Sequence, residues 1–174
     1  MKIFVCRICG EVYIGDNIPP TCPFCGVAQK YLGLAHVWKD TNNVELSEVS
    51  RKNFEDALKL ELSNASFYKC ASKTLSNTEV ALMFKGLYKV EREHAEVFEK
   101  ILKPENLPEI NEACEDDVAA CLKASQDREE RAVEFYAKAL SEATEDRVRE
   151  VFEAIMNVEK DHIVLDEEMN KKYN

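Results

Sequence analysis

From about residue 47 onward the sequence repeats itself. A shift of 68 residues carries Glu61 onto Glu129, Phe67 onto Phe135, Tyr68 onto Tyr136 and Ala71 onto Ala139. It continues without a gap through Val80/Val148, Phe84/Phe152, Val90/Val158, Glu91/Glu159 and His94/His162. Such self-similarity implies one supersecondary unit used twice. Each copy contains two runs of apolar residues at helical spacing. The first copy has Phe54, Ala57, Leu58, Leu62, Ala65, Tyr68 and Leu75, then Val80, Phe84, Leu87, Ala95, Phe98 and Ile101. The second has Val118, Leu122, Ser125, Ala132, Tyr136 and Ala139, then Val148, Val151, Phe152, Ile155, Ile163 and Met169. These are the stripes of amphipathic helices. Ser76-Asn77-Thr78 makes a turn between the first two helices, and Thr144 followed by Glu145 and Asp146 suits the start of the fourth. A duplicated helical hairpin closed on itself is a four-helix bundle with a pseudo-twofold axis.

The stripes are interrupted by acids and imidazoles. Glu61 falls between Leu58 and Leu62, Glu91 and His94 between Leu87 and Phe98, Glu129 between Ser125 and Ala132, and Glu159 and His162 between Ile155 and Ile163. Burying such groups without partners costs several kcal/mol for each ion. Glu61 and Glu91 are placed symmetrically about residue 76, and Glu129 and Glu159 about residue 144, so each pair sits at matching height in an antiparallel hairpin. Each Glu-x-x-His puts its imidazole one turn along the same face. Four carboxylates offset the charge of two divalent cations. One Glu from each of two helices, plus Glu-x-x-His from each of the other two, is the ligand pattern of ferritin-like di-iron or di-manganese bundles.

The first 36 residues read differently. They hold four of the five glycines and three of the five prolines, together with Cys6-x-x-Cys9-Gly10 and Cys22-Pro23-x-Cys25-Gly26. Each C-x-x-C places two thiolates on one tight turn, and four thiolates form a tetrahedral zinc or iron site. The spacing alone favours structural zinc; a redox iron becomes the better reading because a two-metal site on the same chain needs an electron source. The expected organisation is therefore a four-cysteine module over 1–36, a linker over 37–46 and a helical bundle over 47–174. His36 and Trp38 are expected to pack one unit on the other. Cys70, Cys114 and Cys121 read as small apolar core residues. C-x-x-C pairs point to metal binding in a reducing cytoplasm rather than to disulfides. A formal net charge of −10 argues against coating nucleic acid or an anionic membrane, and no apolar run is long enough to span a bilayer.

Taken together, Cys6–Gly26 resembles the short-spaced rubredoxin module of rubrerythrins, and Glu61, Glu91-Arg92-Glu93-His94, Glu129 and Glu159-x-x-His162 resemble their di-iron bundle. The module precedes the bundle, as in reverse rubrerythrins. The resemblance implies a non-haem di-iron peroxidase that reduces hydrogen peroxide to water in oxidative-stress defence. Electrons would be relayed through the four-cysteine iron from an external, NAD(P)H-linked reductase or a rubredoxin. Glu91 and Glu159 would bridge the irons, Glu61 and Glu129 would be terminal ligands, and His94 and His162 would bind one iron each. Tyr68 and Tyr136 would hydrogen-bond to the ligand carboxylates. The family habit is a homodimer in which one subunit's module faces the other's bundle. Many rubrerythrins have a further Glu three residues after the third-helix ligand; here that position is Ala132, and its repeat partner is Asn64, which leaves six ligands. Glu130 and Glu134 are read as solvent-facing. The alternatives are a ferroxidase or dioxygen-reducing protein built on the same bundle, and a non-enzymatic zinc ribbon fused to a helical interaction bundle.

Overall fold

In the computed structural model, which describes residues 1–173, the chain is mainly α. Four helices follow a small N-terminal sheet: α1 Glu48–Thr74, α2 Thr78–Leu102, α3 Val118–Glu142 and α4 Asp146–Tyr173. Their starts are set by polar caps. Ser47 accepts from the Ser50 amide, Asn77 from Val80 and Asp117 from Ala120, each satisfying an amide that the helix cannot. Lys103 ends α2 in the left-handed region (φ 50°), and Pro104 follows it. The Thr144 hydroxyl bonds to Glu145. Glu145 itself reaches α1, accepting from the Ser47 amide and the Ser50 hydroxyl at 2.6 Å each. That carboxylate ties the start of the first hairpin to the turn of the second.

The helices pack as α1 on α2 and α3 on α4, and the two hairpins close around a core rich in Phe54, Phe84, Phe98 and Phe152. Along α4 the core stripe runs Ile155, Glu159, His162, Asp166 and Met169; Ile163 is only half-buried, and Asp166 takes the position expected of an apolar residue. Among the described residues, no helix is long and apolar enough to cross a membrane.

The sheet has strand order β2-β1-β3, with β1 Lys2–Cys6, β2 Val12–Gly15 and β3 Leu32–Leu34, all antiparallel. It carries the two cysteine turns. Gly10 and Gly26 have φ of 82° and 77°, the conformation that lets their amides fold back to the carbonyls of Cys6 and Cys22.

Two expectations need correcting. His36 and Trp38 are exposed and do not seal the two units together. Lys100 and Arg147 do so instead. Lys100 donates to the Cys9 carbonyl at 2.6 Å, and Arg147 to the Arg7 carbonyl at 2.8 Å and the Asn42 side chain at 2.9 Å. The first cysteine turn leaves these carbonyls facing the bundle, where the two cations meet them. Second, Cys70 and Cys114 are half-buried and joined in a disulfide that fastens the α2–α3 connection to α1. Glu112 reinforces the attachment, accepting from Ser63 at 2.7 Å and from Arg128 at 3.1 Å. Cys121 is a buried free thiol, as expected.

Candidate metal centres

Cys6, Cys9, Cys22 and Cys25 converge, all buried. Cys6 and Cys25 sulfurs are 3.8 Å apart, as are those of Cys9 and Cys22. Four sulfurs set tetrahedrally about 2.3 Å from one ion would be spaced about 3.8 Å apart, so the donor set fits a single zinc or iron. The thiols share their protons unequally. Hydrogen bonds from Cys25, Cys6 and Cys9 hold Cys22 far below the ordinary thiol range, while Cys25 is pushed well above it by Cys22, Cys6 and Cys9 and by burial.

In the bundle the six acid and imidazole side chains meet at mid-height. Glu61, Glu91, His94, Glu129 and Glu159 are fully buried, and His162 nearly so. Their ligand atoms form two groups: Glu61, Glu91, His94 and Glu159 in one; Glu91, Glu129, Glu159 and His162 in the other. Glu91 and Glu159 belong to both. His94 Nδ1 lies 3.0 Å from Glu159, 3.5 Å from Glu91 and 3.8 Å from Glu61. His162 Nδ1 lies 3.0 Å from Glu159, 3.2 Å from Glu91 and 3.6 Å from Glu129.

The tyrosines cross between hairpins. Tyr68 of α1 donates to Glu129 Oε1 on α3, and Tyr136 of α3 donates to Glu61 Oε1 on α1. Each occupies one carboxylate oxygen and leaves the other aimed inward. What remains without a hydrogen-bond partner includes Glu61 Oε2, Glu129 Oε2, both oxygens of Glu91 and of Glu159, and Nδ1 of both histidines. Eight orphaned buried donors facing one another are a costly arrangement for an apolar core. They are the donor set that two cations, each taking three oxygens and one nitrogen, would use.

The electrostatics agree. Burial drives the Glu61 and Glu129 carboxyls well above the usual range, and the Glu91 charge adds to it. Burial opposes ionisation of Glu91 and Glu159 too, yet the neighbouring Glu61 carboxyl and both imidazoles hold Glu91 low, and the nearby His94 and His162 do so for Glu159. Both imidazoles rise well above their ordinary value: burial opposes their charging, and Glu159 beside His94 and Glu129 beside His162 outweigh it. In the absence of metal, protons are the cations that neutralise this cavity.

Ala132 is buried and brings no carboxylate, Asn64 is buried with its Oδ1 3.4 Å from Arg128, and Glu130 and Glu134 are exposed. Two features escaped the sequence reading. Asp166 is fully buried and bonds to Ser125 Oγ at 2.9 and 2.8 Å; burial raises its carboxyl to about 7 despite those bonds. Its spacing four residues past His162 was the available signal. The other is a backbone contact with no sequence signature: His94 Nε2 lies 2.9 Å from the Cys25 carbonyl oxygen. An Nε2–H donated there leaves Nδ1 free for metal. The four-cysteine site of a chain thus touches the bundle site of the same chain, an adjacency the resemblance placed between subunits. Its close fit requires Gly26, where a Cβ would fall 2.9 Å from Val158 Cγ1.

A four-cysteine module docked on a bundle with paired Glu and Glu-x-x-His ligand positions defines a two-centre non-haem metalloprotein. Residues 52–165 match the rubrerythrin family and residues 4–32 match the rubrerythrin rubredoxin-like domain. The chain belongs to the rubrerythrin family, with its rubredoxin-like part N-terminal, as in the reverse type. It is 26% identical over 113 residues to reverse rubrerythrin-1 of Clostridium acetobutylicum; the alignment covers 59% of this chain and 62% of that protein. No solved structure matches the chain.

Proposed function

We propose that the protein is a di-iron peroxidase that reduces hydrogen peroxide to water, with electrons passed to the bundle from the four-cysteine iron. The observation that carries this reading is the His94 contact. One ring nitrogen faces the acidic cluster, and the other is held by the backbone of a cysteine in the electron-carrying site. A structural zinc site has no need of such a bridge.

In this reading Glu61, Glu91, His94 and Glu159 would hold one iron, and Glu91, Glu129, Glu159 and His162 would hold the other. When bound, the irons supply the two electrons and the Lewis acidity that peroxide cleavage requires. The chain's own residues do the rest. The paired carboxylates cancel the cations' charge. Tyr68 and Tyr136 fix the terminal carboxylates so that one oxygen of each points inward. The aromatic walls, with Phe84 stacked on Tyr68 and Phe98 on Tyr136, keep bulk water away from the reacting centre. Conversion of one peroxide to two waters consumes two electrons and two protons. An external reductase or rubredoxin would supply those electrons, and the contact between His94 and the Cys25 carbonyl would be the short path between the two centres.

The test is rapid mixing of anaerobically reduced protein with hydrogen peroxide, followed at the four-cysteine chromophore. Wild type should reoxidise that centre promptly and turn over with a reduced rubredoxin as donor. Glu91→Ala should keep the colour and lose the turnover. A wild type that ignores peroxide while oxidising added Fe(II) would instead make it a ferroxidase.

A further inference from the structure

The internal repeat provides its own control, because the same site is built twice and any difference between the copies stands out. The six ligand positions and both tyrosines are copied. Two residues behind the Tyr68 hydroxyl are not. Ser125 corresponds to Ala57, and Asp166 to Phe98. All four are buried, with Ser125 and Asp166 fully so.

The consequence is an unequal pair of tyrosines. Ser125 Oγ lies 2.8 and 2.9 Å from the two Asp166 oxygens and 3.3 Å from the Tyr68 hydroxyl, which donates to Glu129. Asp166, Ser125, Tyr68 and Glu129 therefore form one buried line across α4, α3 and α1. In the other half Tyr136 donates to Glu61, but the corresponding positions hold a methyl group and a ring: Ala57, and Phe98, which stacks on Tyr136 at 6.3 Å. The apolar pair is the better filler for a core, since a buried carboxyl and hydroxyl gain little over apolar groups of similar shape. One half of this molecule uses it. The other keeps a polar pair at the same depth, reaching a ligand carboxylate.

Building on the di-metal reading, we propose that Asp166 and Ser125 are positioning residues that hold Tyr68 on Glu129 and make the Glu129/His162 metal position distinct from the Glu61/His94 position. The two positions are then oriented by different devices. At Glu61/His94 the imidazole is held, through the Cys25 carbonyl. At Glu129/His162 the carboxylate is held, through the buried line. Partners of metal ligands typically tune affinity by about 10–100-fold, and loss of this line should be felt at one position and not at both.

The repeat also supplies the variant. Ser125→Ala with Asp166→Phe installs the pair that the other half already packs. The experiment is a Co(II) titration of the metal-free full chain, following cobalt–carboxylate/imidazole absorption separately from the cobalt–thiolate bands of the four-cysteine site. Wild type should fill two bundle positions. The double variant should bind at one of them about 10–100-fold more weakly and leave the other unchanged. Asp166→Asn, which keeps a hydrogen-bonding partner for Ser125, should restore most of the loss relative to an Asp166→Leu control. Unchanged affinity at both positions, or a parallel fall at both accompanied by a lower melting temperature, would overturn the proposal. If wild type takes no cobalt in the bundle, the di-metal reading itself fails, and the proposal with it.

Discussion

At the scale of single residues, the site is a set of side chains whose positions make sense only with cations among them. Glu91 and Glu159 each present two buried oxygens with no hydrogen-bond partner, a costly arrangement in an apolar core that bound cations would relieve. Tyr136→Phe removes the donor on Glu61 Oε1 and leaves that oxygen buried and unpaired. Metal affinity of the Glu61/His94 position should fall by about 10–100-fold, as read by competition with a chelator. An unchanged affinity would mean that the tyrosine is core filling and nothing more. The acids and imidazoles were legible in the sequence because a charged residue in an apolar stripe is a sharp anomaly. Asp166 was not, because Ile163 lies on a neighbouring row and offers an equally periodic apolar reading of the same helix. The Cys25 carbonyl could not have been found at all: every residue has a carbonyl, and only the docked fold says which one meets an imidazole.

At the scale of elements, the helices followed from a 3.6-residue periodicity repeated over whole stripes, and the Ser76–Thr78 turn marked the start of α2, which Asn77 caps; the caps at Ser47 and Asp117 are seen only in the structure. The fourth helix start was legible only in part, because Glu145 serves α1 across the hairpins rather than its own helix alone. Its carboxyl is held down to about 2: burial works the other way, but the hydrogen bonds from the Ser47 amide and the Ser50 hydroxyl prevail. A carboxyl lowered in the folded state stabilises it above its unfolded value of 4.5, and that contribution is lost as pH falls through about 2. Glu145→Gln should therefore lower the melting temperature at pH 7 and flatten its decline between those two values, a comparison made by thermal scans of both proteins. Gly26 is where the second cysteine turn meets α4. Gly26→Ala adds a Cβ against Val158 at a φ of 77°, at a cost on the order of 1–3 kcal/mol. It should loosen the module from the bundle and slow reoxidation of the four-cysteine centre by peroxide while leaving its absorption spectrum intact.

At the scale of the whole molecule, one chain places two metal-binding centres in contact, stapled by Lys100 and Arg147 to the carbonyls of the first cysteine turn and by His94 to the second. The mainly α architecture with an N-terminal four-cysteine module was legible from composition and period. The mode of docking was not, because it rests on backbone atoms and on two cations that read as ordinary surface residues. The disulfide was likewise hidden, since Cys114 lies in a connection without periodicity, 44 residues from its partner. Closing a loop of that length is worth about 2–4 kcal/mol, so Cys70→Ser/Cys114→Ser should shift the denaturant midpoint downward and expose residues 103–117 to protease first. Identical midpoints with and without reductant would count against a stabilising tie. The proposed function requires a metal pair in the bundle beside a single ion in the cysteine module. Element-specific analysis of anaerobically prepared protein should find about three irons per chain, falling to about one in Glu91→Ala. One zinc per chain with no iron, unaltered by that substitution, would contradict it.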